Sequence, residues 1–137
     1  MAFLGGDAPS ALYRVEVNAE VDSPRRVRRW LRECLASWEL DRPEVVDPVV
    51  LVADELVTNA ITHGGAPITL ELWRAEHRVR LEVGDGGGGT VGSSSADPSY
   101  RGLRLVDTLT AAWGVDSRPG GGKVVWAELA AEDVTVG

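Results

Sequence analysis

The sequence predicts an α+β fold: a two-layer α/β sandwich with a mostly antiparallel sheet and three helices on one face. Three observations carry this expectation. Three short stretches alternate apolar and polar residues with period two, two more flank a glycine-rich turn near the end, and three longer ones repeat apolar residues at helical spacing. Their order along the chain is β-α-α-β-β-loop-α-β-β, which suits helices segregated to one side of a sheet. With 137 residues, 44% of them hydrophobic and 26% charged, the chain has the size and balance of one ordered domain.

Residues 1–10 read as a flexible lead-in and 11–137 as that single domain. Leu12, Val15 and Val17 are apolar, with Arg14 and Glu16 polar between the later ones, predicting a strand over 11–19. Ser23-Pro24 is an N-cap residue followed by proline at the first helical position. From there Val27, Leu31, Cys34, Leu35 and Trp38 recur at helical spacing, predicting a helix that ends near Leu40. Asp47-Pro48 is a second such start. Val49, Val52, Ala53, Leu56, Val57, Ala60 and Ile61 then form one broad apolar face, and His63-Gly64-Gly65 supplies the stop.

Ile68, Leu70 and Leu72 mark a strand over 67–74, and Val79, Leu81 and Val83 mark another over 78–84. Residues 84–99 are low in complexity and predict a mobile loop. The stretch RGLRLVDTLTAAWG predicts a helix with Leu103, Val106, Leu109 and Thr110 inward and Gly114 at its end. Two strands, over 113–118 and 123–130, flank a turn at Arg118-Pro119-Gly120-Gly121-Gly122.

Composition removes several function classes. Lys+Arg total 14 against 21 Asp+Glu, a net charge of -7, which disfavours a general nucleic-acid binder because phosphate contacts need a basic surface. The single cysteine, Cys34, cannot form an internal disulfide or a cysteine metal site. No apolar run reaches ~18 residues and no basic-then-apolar leader opens the chain, so the expectation is a cytoplasmic protein that does not engage a membrane.

Chemistry has three candidate locations. Glu55, Asn59 and His63 stand at i, i+4 and i+8 on the strongest predicted helix and share one stripe. The stripe is either a solvated polar face or the lining of a pocket, with Glu55 as a base or water-orienting group and Asn59 as an oxygen ligand for Mg²⁺. Magnesium keeps several waters and takes only one or two protein ligands beside phosphate oxygens. Asp85-Gly86-Gly87-Gly88-Gly89 follows a strand. It is either a flexible turn or a place where a ligand approaches the backbone beside a carboxylate. Gly102-Leu103 opens a helix after a glycine-serine loop. That is either an ordinary helix start or a set of free N–H groups facing phosphate.

In this order the motifs Glu-x-x-x-Asn-Ala (Glu55–Ala60), Asp-x-Gly-x-Gly (Asp85–Gly89) and Gly-Leu-x-Leu-Val (Gly102–Val106) resemble the GHKL (Bergerat-fold) ATPase superfamily, over about residues 11–130. The stretch DELVTNAITHG and the ending GGKVVWAEL look most like the stand-alone anti-sigma factor kinases of RsbW type. No G-x-x-x-x-G-K-[ST] phosphate loop is present.

The resemblance implies a histidine kinase-like ATPase domain that binds ATP and Mg²⁺. It implies Glu55 as general base, Asn59 as the Mg²⁺ ligand and Asp85 as the carboxylate that reads the adenine amino group. Gly87 and Gly89 would lie around base and ribose, residues 90–101 would form the ATP lid, and Gly102 and Leu103 would hold phosphates at a helix start. His63 matches a frequent basic position near the nucleotide. The sequence departs from the pattern at Tyr100, where the third motif usually begins with glycine, and at Lys123 and Val124, where threonines often follow the last turn. The lid is rich in Gly and Ser (Gly92, Ser93, Ser94, Ser95).

The implied function is an anti-sigma factor and ATP-dependent protein serine/threonine kinase acting on an anti-anti-sigma (STAS-type) partner. The alternative is an ATP-sensing binding module with little or no phosphotransfer. A sigma factor, an anti-anti-sigma protein and a second copy of the chain are the expected partners. Arg25, Arg28, Arg29 and Arg32 fall on one side of the first helix, either as a solvated charged face or as a docking patch for an acidic partner. Trp30, Trp38, Trp73, Trp113 and Trp126 are expected in core or interface area.

Overall fold

The computed structural model describes residues 6, 8–87 and 101–131, with the backbone alone at 101 and 102. Along them run β1 (Ala11–Val17), α1 (Pro24–Ser37), α2 (Pro43–His63), β2 (Ile68–Arg74), β3 (Arg78–Asp85), α3 (Arg101–Leu109), β4 (Ala112–Ser117) and β5 (Lys123–Ala130). The predicted α+β class is what forms. The strands make one sheet in the order β1-β2-β3-β5-β4, and every neighbouring pair is antiparallel.

Strand periodicity explains which face the helices take. Ile68, Leu70 and Leu72 of β2, Val79, Leu81 and Val83 of β3, and Val125, Ala127 and Leu129 of β5 are all buried and belong to one core. Residues two apart share a sheet face, so these nine make one continuous apolar surface. α2 lies against β2, β3 and β5 and also contacts α1 and α3, so it is the spine of the helical layer. Cys34 is 5% exposed inside this core, and burial, with Glu33 adding to it, pushes its thiol up to about 11.

Several boundaries differ from the sequence expectation, each for a local reason. β1 stops at Val17, because Asn18 and Asp22 close a turn: Asn18 N–H donates to Asp22 Oδ2 at 2.8 Å and Asp22 N–H to the Asn18 carbonyl at 2.7 Å. α1 begins as expected, with the Ser23 hydroxyl accepting from Arg26 N–H at 3.3 Å. It ends at Ser37, short of Leu40. Glu39 takes φ 60, and Leu40 N–H returns to the Leu35 carbonyl at 2.8 Å. Leu40 is therefore buried from outside the helix.

α2 begins at Pro43, four residues before the predicted Asp47-Pro48 start, and Pro48 lies inside it. An interior proline costs ~3 kcal/mol. Burying Val45 and Val46 on the turn that precedes it returns roughly 1.5–3 kcal/mol each.

α3 ends at Leu109 and not at Gly114. The Thr110 hydroxyl and N–H both bond the Val106 carbonyl, and Ala111 N–H donates to the Glu128 carbonyl at 2.8 Å, drawing the chain into the sheet. Trp113 and Gly114 thus belong to β4. A Cβ at Gly114 would lie 2.7 Å from the Trp126 indole, so glycine lets that ring cross the neighbouring strand.

On the sheet face away from the helices, the Arg80 guanidinium lies 4.3 Å from the Trp126 ring centroid and 2.7 Å from Glu128 Oε2. Glu128 is fully buried there, with Arg78 Nη1 3.3 Å from its other oxygen. Among the described residues no helix is long and apolar enough to cross a membrane.

Candidate functional site

The last turn of α2, the end of β3 and the start of β5 meet at one place. Asp85 closes β3 on the helix-facing side, because Val79, Leu81 and Val83 face that way and two-residue alternation continues to 85. It is 1% exposed. Gly64 caps α2 directly above it, and a Cβ there would lie 2.6 Å from Asp85 Oδ2 and 2.7 Å from the Ala60 carbonyl. Gly86 N–H then donates to the Gly65 carbonyl at 2.9 Å. A Cβ on Gly65 would lie 3.0 Å from the Gly87 Cα, so the two backbones approach closely. Glycine at these positions is what brings the strand end against the helix end.

β5 completes the enclosure. Lys123 is the Cα partner of Asp85 across the β3–β5 ladder, and its Nζ lies 2.8 Å from Asp85 Oδ2. Lys123 is 3% exposed. Neither Lys123 Nζ nor either Asp85 carboxylate oxygen completes a hydrogen bond with a described residue, so the pair is in ionic contact with its directional bonding unmet.

Glu55, Asn59 and His63 occupy three successive turns of α2 leading down to Gly64. Asn59 is 8% exposed, which rules out a merely solvated position, whereas Glu55 and His63 are half-buried. One helical turn separates Glu55 from Asn59, a rise of ~6 Å. Asp54, beside Glu55, is held above the usual carboxylate range by burial, with Arg28 at 4.0 Å pulling it back.

α3 packs against α2, and Leu103 in its first turn packs on the core. Gly102 falls in the same turn. Of the expected site residues, Gly89 lies outside the described residues, as do Tyr100 and residues 90–100 of the expected lid.

The structure therefore brings Asp85 and Gly87 together with the C-terminal turn of α2 that carries His63 and Gly64. Asn59 and Glu55 stand one and two turns farther along the same helix. Two features were not legible as parts of a site. Gly64-Gly65 reads only as a helix stop until the carboxylate beneath it is seen. Lys123, the only lysine of the chain, stands out in the sequence only as a departure from a pattern; its signal is the strand register that sets it opposite Asp85.

The donor set suits a nucleotide with a magnesium ion. A buried carboxylate without a completed bond can accept from an exocyclic amino group. Among the described residues no three His, Cys, Asp or Glu side chains converge on a metal position. A lone Asn oxygen fits magnesium, which takes its remaining ligands from phosphate and water.

No curated protein matches the chain. Residues 17–128, from the last residue of β1 to near the end of β5, match the family model described as histidine kinase-like ATPase domain. The chain therefore belongs to the histidine kinase-like ATPase domain family, which implies ATP as its ligand.

Proposed function

We propose that the chain is an ATP- and Mg²⁺-dependent protein serine/threonine kinase that also acts as an anti-sigma factor, phosphorylating an anti-anti-sigma (STAS-type) partner and so governing its own release. The observation that carries this reading is the arrangement along α2. A half-buried carboxylate, Glu55, and a buried amide, Asn59, stand one turn apart on the helix whose end abuts the Asp85 carboxylate. Base recognition at one end of a helix and phosphoryl chemistry farther along it is the division of labour such a reaction needs.

In this reading Asp85 accepts the adenine amino hydrogen, and Gly87 and Gly89 leave room for base and ribose. His63, Gly102 and Leu103 line the path of the phosphates. Asn59 would hold magnesium through its side-chain oxygen, and the ion would supply charge neutralisation on the phosphates. Glu55 takes the proton from the partner's serine hydroxyl as that oxygen bonds to the γ-phosphorus, while the bond from phosphorus to the β–γ bridging oxygen breaks and ADP leaves. Positioning and electrostatics carry most of such a step. The partner-binding face in this reading is the cationic side of α1, where Arg25, Arg29 and Arg32 are exposed.

Incubation with γ-labelled ATP and candidate partners tests the proposal. Label on a partner serine or threonine, lost in Glu55→Gln, is the expected result. ATP binding with no transfer to any partner would replace the kinase with the alternative, an ATP-sensing regulatory binding module.

A further inference from the structure

The geometry points to Lys123 as a second reader of the purine base, donating to ring nitrogen N1 of adenine while Asp85 accepts from the amino group at C6. The inference rests on the ATP reading above and deepens it.

Asp85 and Lys123 are Cα partners in the β3–β5 ladder, as are Val83 and Val125, Leu81 and Ala127, and Val79 and Leu129 before them. Those six apolar residues all lie in the core, so alternation sends the Asp85 and Lys123 side chains into the same helix-facing layer. The pair is the polar end of an otherwise apolar double row, and it falls where Gly64-Gly65 and Gly86-Gly87 bring the helix end against the strand end.

Its bonding is incomplete. Nζ sits 2.8 Å from Oδ2, with the two side chains 4% and 1% exposed, yet Nζ, Oδ1 and Oδ2 all lack a hydrogen-bond partner among the described residues. An ammonium has three N–H donors and a carboxylate about four acceptor positions. A buried ion pair offsets its desolvation only when the remaining donors and acceptors are also satisfied. Asp85 and Lys123 hold one contact and leave at least one acceptor and two donors open, side by side. The ligand edge that complements them carries a donor and an acceptor on adjacent positions.

The adenine edge carries that pair: an amino group at C6 and an unprotonated N1 next to it. Amino hydrogen to Asp85 Oδ1 and Lys123 Nζ to N1 uses both open positions at once and keeps the ion pair intact. Guanine in the same pose reverses both, setting O6 against the carboxylate and N1–H against the ammonium. A carboxylate alone discriminates at one atom, whereas the pair discriminates at two. Lysine suits this role because its compact head turns three donors freely, whereas the planar arginine fork would span both carboxylate oxygens and close the site.

The test is calorimetric titration of the full chain with ATP and with 1-deaza-ATP, which keeps the amino group and replaces N1 by CH, in the absence of any partner. The parent is expected to bind 1-deaza-ATP about tenfold to a hundredfold more weakly than ATP, the loss of one charge-assisted hydrogen bond. Lys123→Met is expected to weaken ATP and to bring the two nucleotides to equal affinity. Because that variant leaves Asp85 buried without its cation, its folding is checked by circular dichroism. If it does not fold, the parent comparison and Lys123→Gln, which retains an N–H donor and should keep part of the preference, decide the matter. Equal affinities in the parent overturn the inference. So does an unchanged ratio in Lys123→Met, which would reduce Lys123 to a counter-ion of Asp85. Failure of the parent to bind ATP at all removes the ATP reading itself and the inference with it, a result distinct from the other two.

Discussion

Gly64→Ala would place a methyl group where α2 meets the Asp85 carboxylate. Gly64 has φ -107 and ψ -143, so its φ lies outside the left-handed region, and the close contacts of an added methyl are the main effect. The added methyl carbon would lie 2.6 Å from Asp85 Oδ2 and 2.7 Å from the Ala60 carbonyl. Ordinary contact needs ~3.4 Å or more, so something must move by most of an ångström. The carboxylate cannot swing away cheaply, because it is 1% exposed and in contact with Lys123. The Ala60 carbonyl is no freer, since it accepts the Gly64 N–H at 2.9 Å in the last turn of α2.

Inserting a methyl group into packing this close costs about 1–3 kcal/mol. Urea unfolding should show that loss as a lower midpoint with an unchanged slope. Displacing the Asp85 carboxylate should also cost about tenfold or more in ATP affinity by calorimetry, the worth of one buried acceptor. Gly120→Ala is the control. It meets no atom within 4 Å but sits at φ +86, so it should lose about 1 kcal/mol of stability to backbone strain and none of the ATP affinity. A Gly64→Ala protein with parental stability and parental ATP affinity would refute the close approach of α2 to Asp85.

Asp85→Ala should abolish most ATP binding, and the parent should prefer ATP to GTP about tenfold or more; equal affinity for the two would remove Asp85 as a base reader. Glu55→Gln should keep ATP affinity within about a few-fold while transfer falls by about two orders of magnitude or more, whereas Asn59→Ala should weaken Mg²⁺-dependent binding and transfer together. Unchanged transfer in Glu55→Gln would return Glu55 to a polar helix stripe.

The Cys34 thiol is held protonated up to about 11 against an ordinary 9.0, so between those values the folded chain retains a proton that the unfolded chain has released. Stability should therefore fall as pH rises from 9.0 to about 11, less steeply in Cys34→Ala, and a parallel decline in both proteins would refute the cause. β1 lies at an edge of the sheet, and an unpaired edge invites pairing. A homodimer through that strand is expected by light scattering, and a monomer alone across micromolar concentrations would count against it.

Class and element order were legible in the linear chain because each rests on local periodicity. Two-residue alternation marks Ile68, Leu70 and Leu72 as one strand face, and i, i+4, i+8 spacing marks Glu55, Asn59 and His63 as one helix stripe, without knowledge of any neighbour. The errors fall at element boundaries, where a turn or a packing contact overrides the periodic signal. Pro48 looks like a start, but burial of Val45 and Val46 carries α2 across it. Gly114 looks like a stop, but the Trp126 indole requires that glycine inside a strand. Leu40 looks helical, but a left-handed Glu39 turns the chain and buries Leu40 from beyond the helix end.

The site divides in the same way. The identity of Asp85 and its glycines is written in the chain, since a strand end with a carboxylate and bare backbone needs only local residues. The meeting of Asp85 with Gly64 and Lys123 is not. Those residues are 21 and 38 positions away from Asp85, and antiparallel register together with the packing of α2 across three strands brings them within contact. Contacts of that range depend on how layers stack, and no periodicity in a single segment encodes it. The buried Asp85–Lys123 pair, and the base-reading role inferred from it, therefore emerge only once the sheet is assembled and the helix is laid upon it.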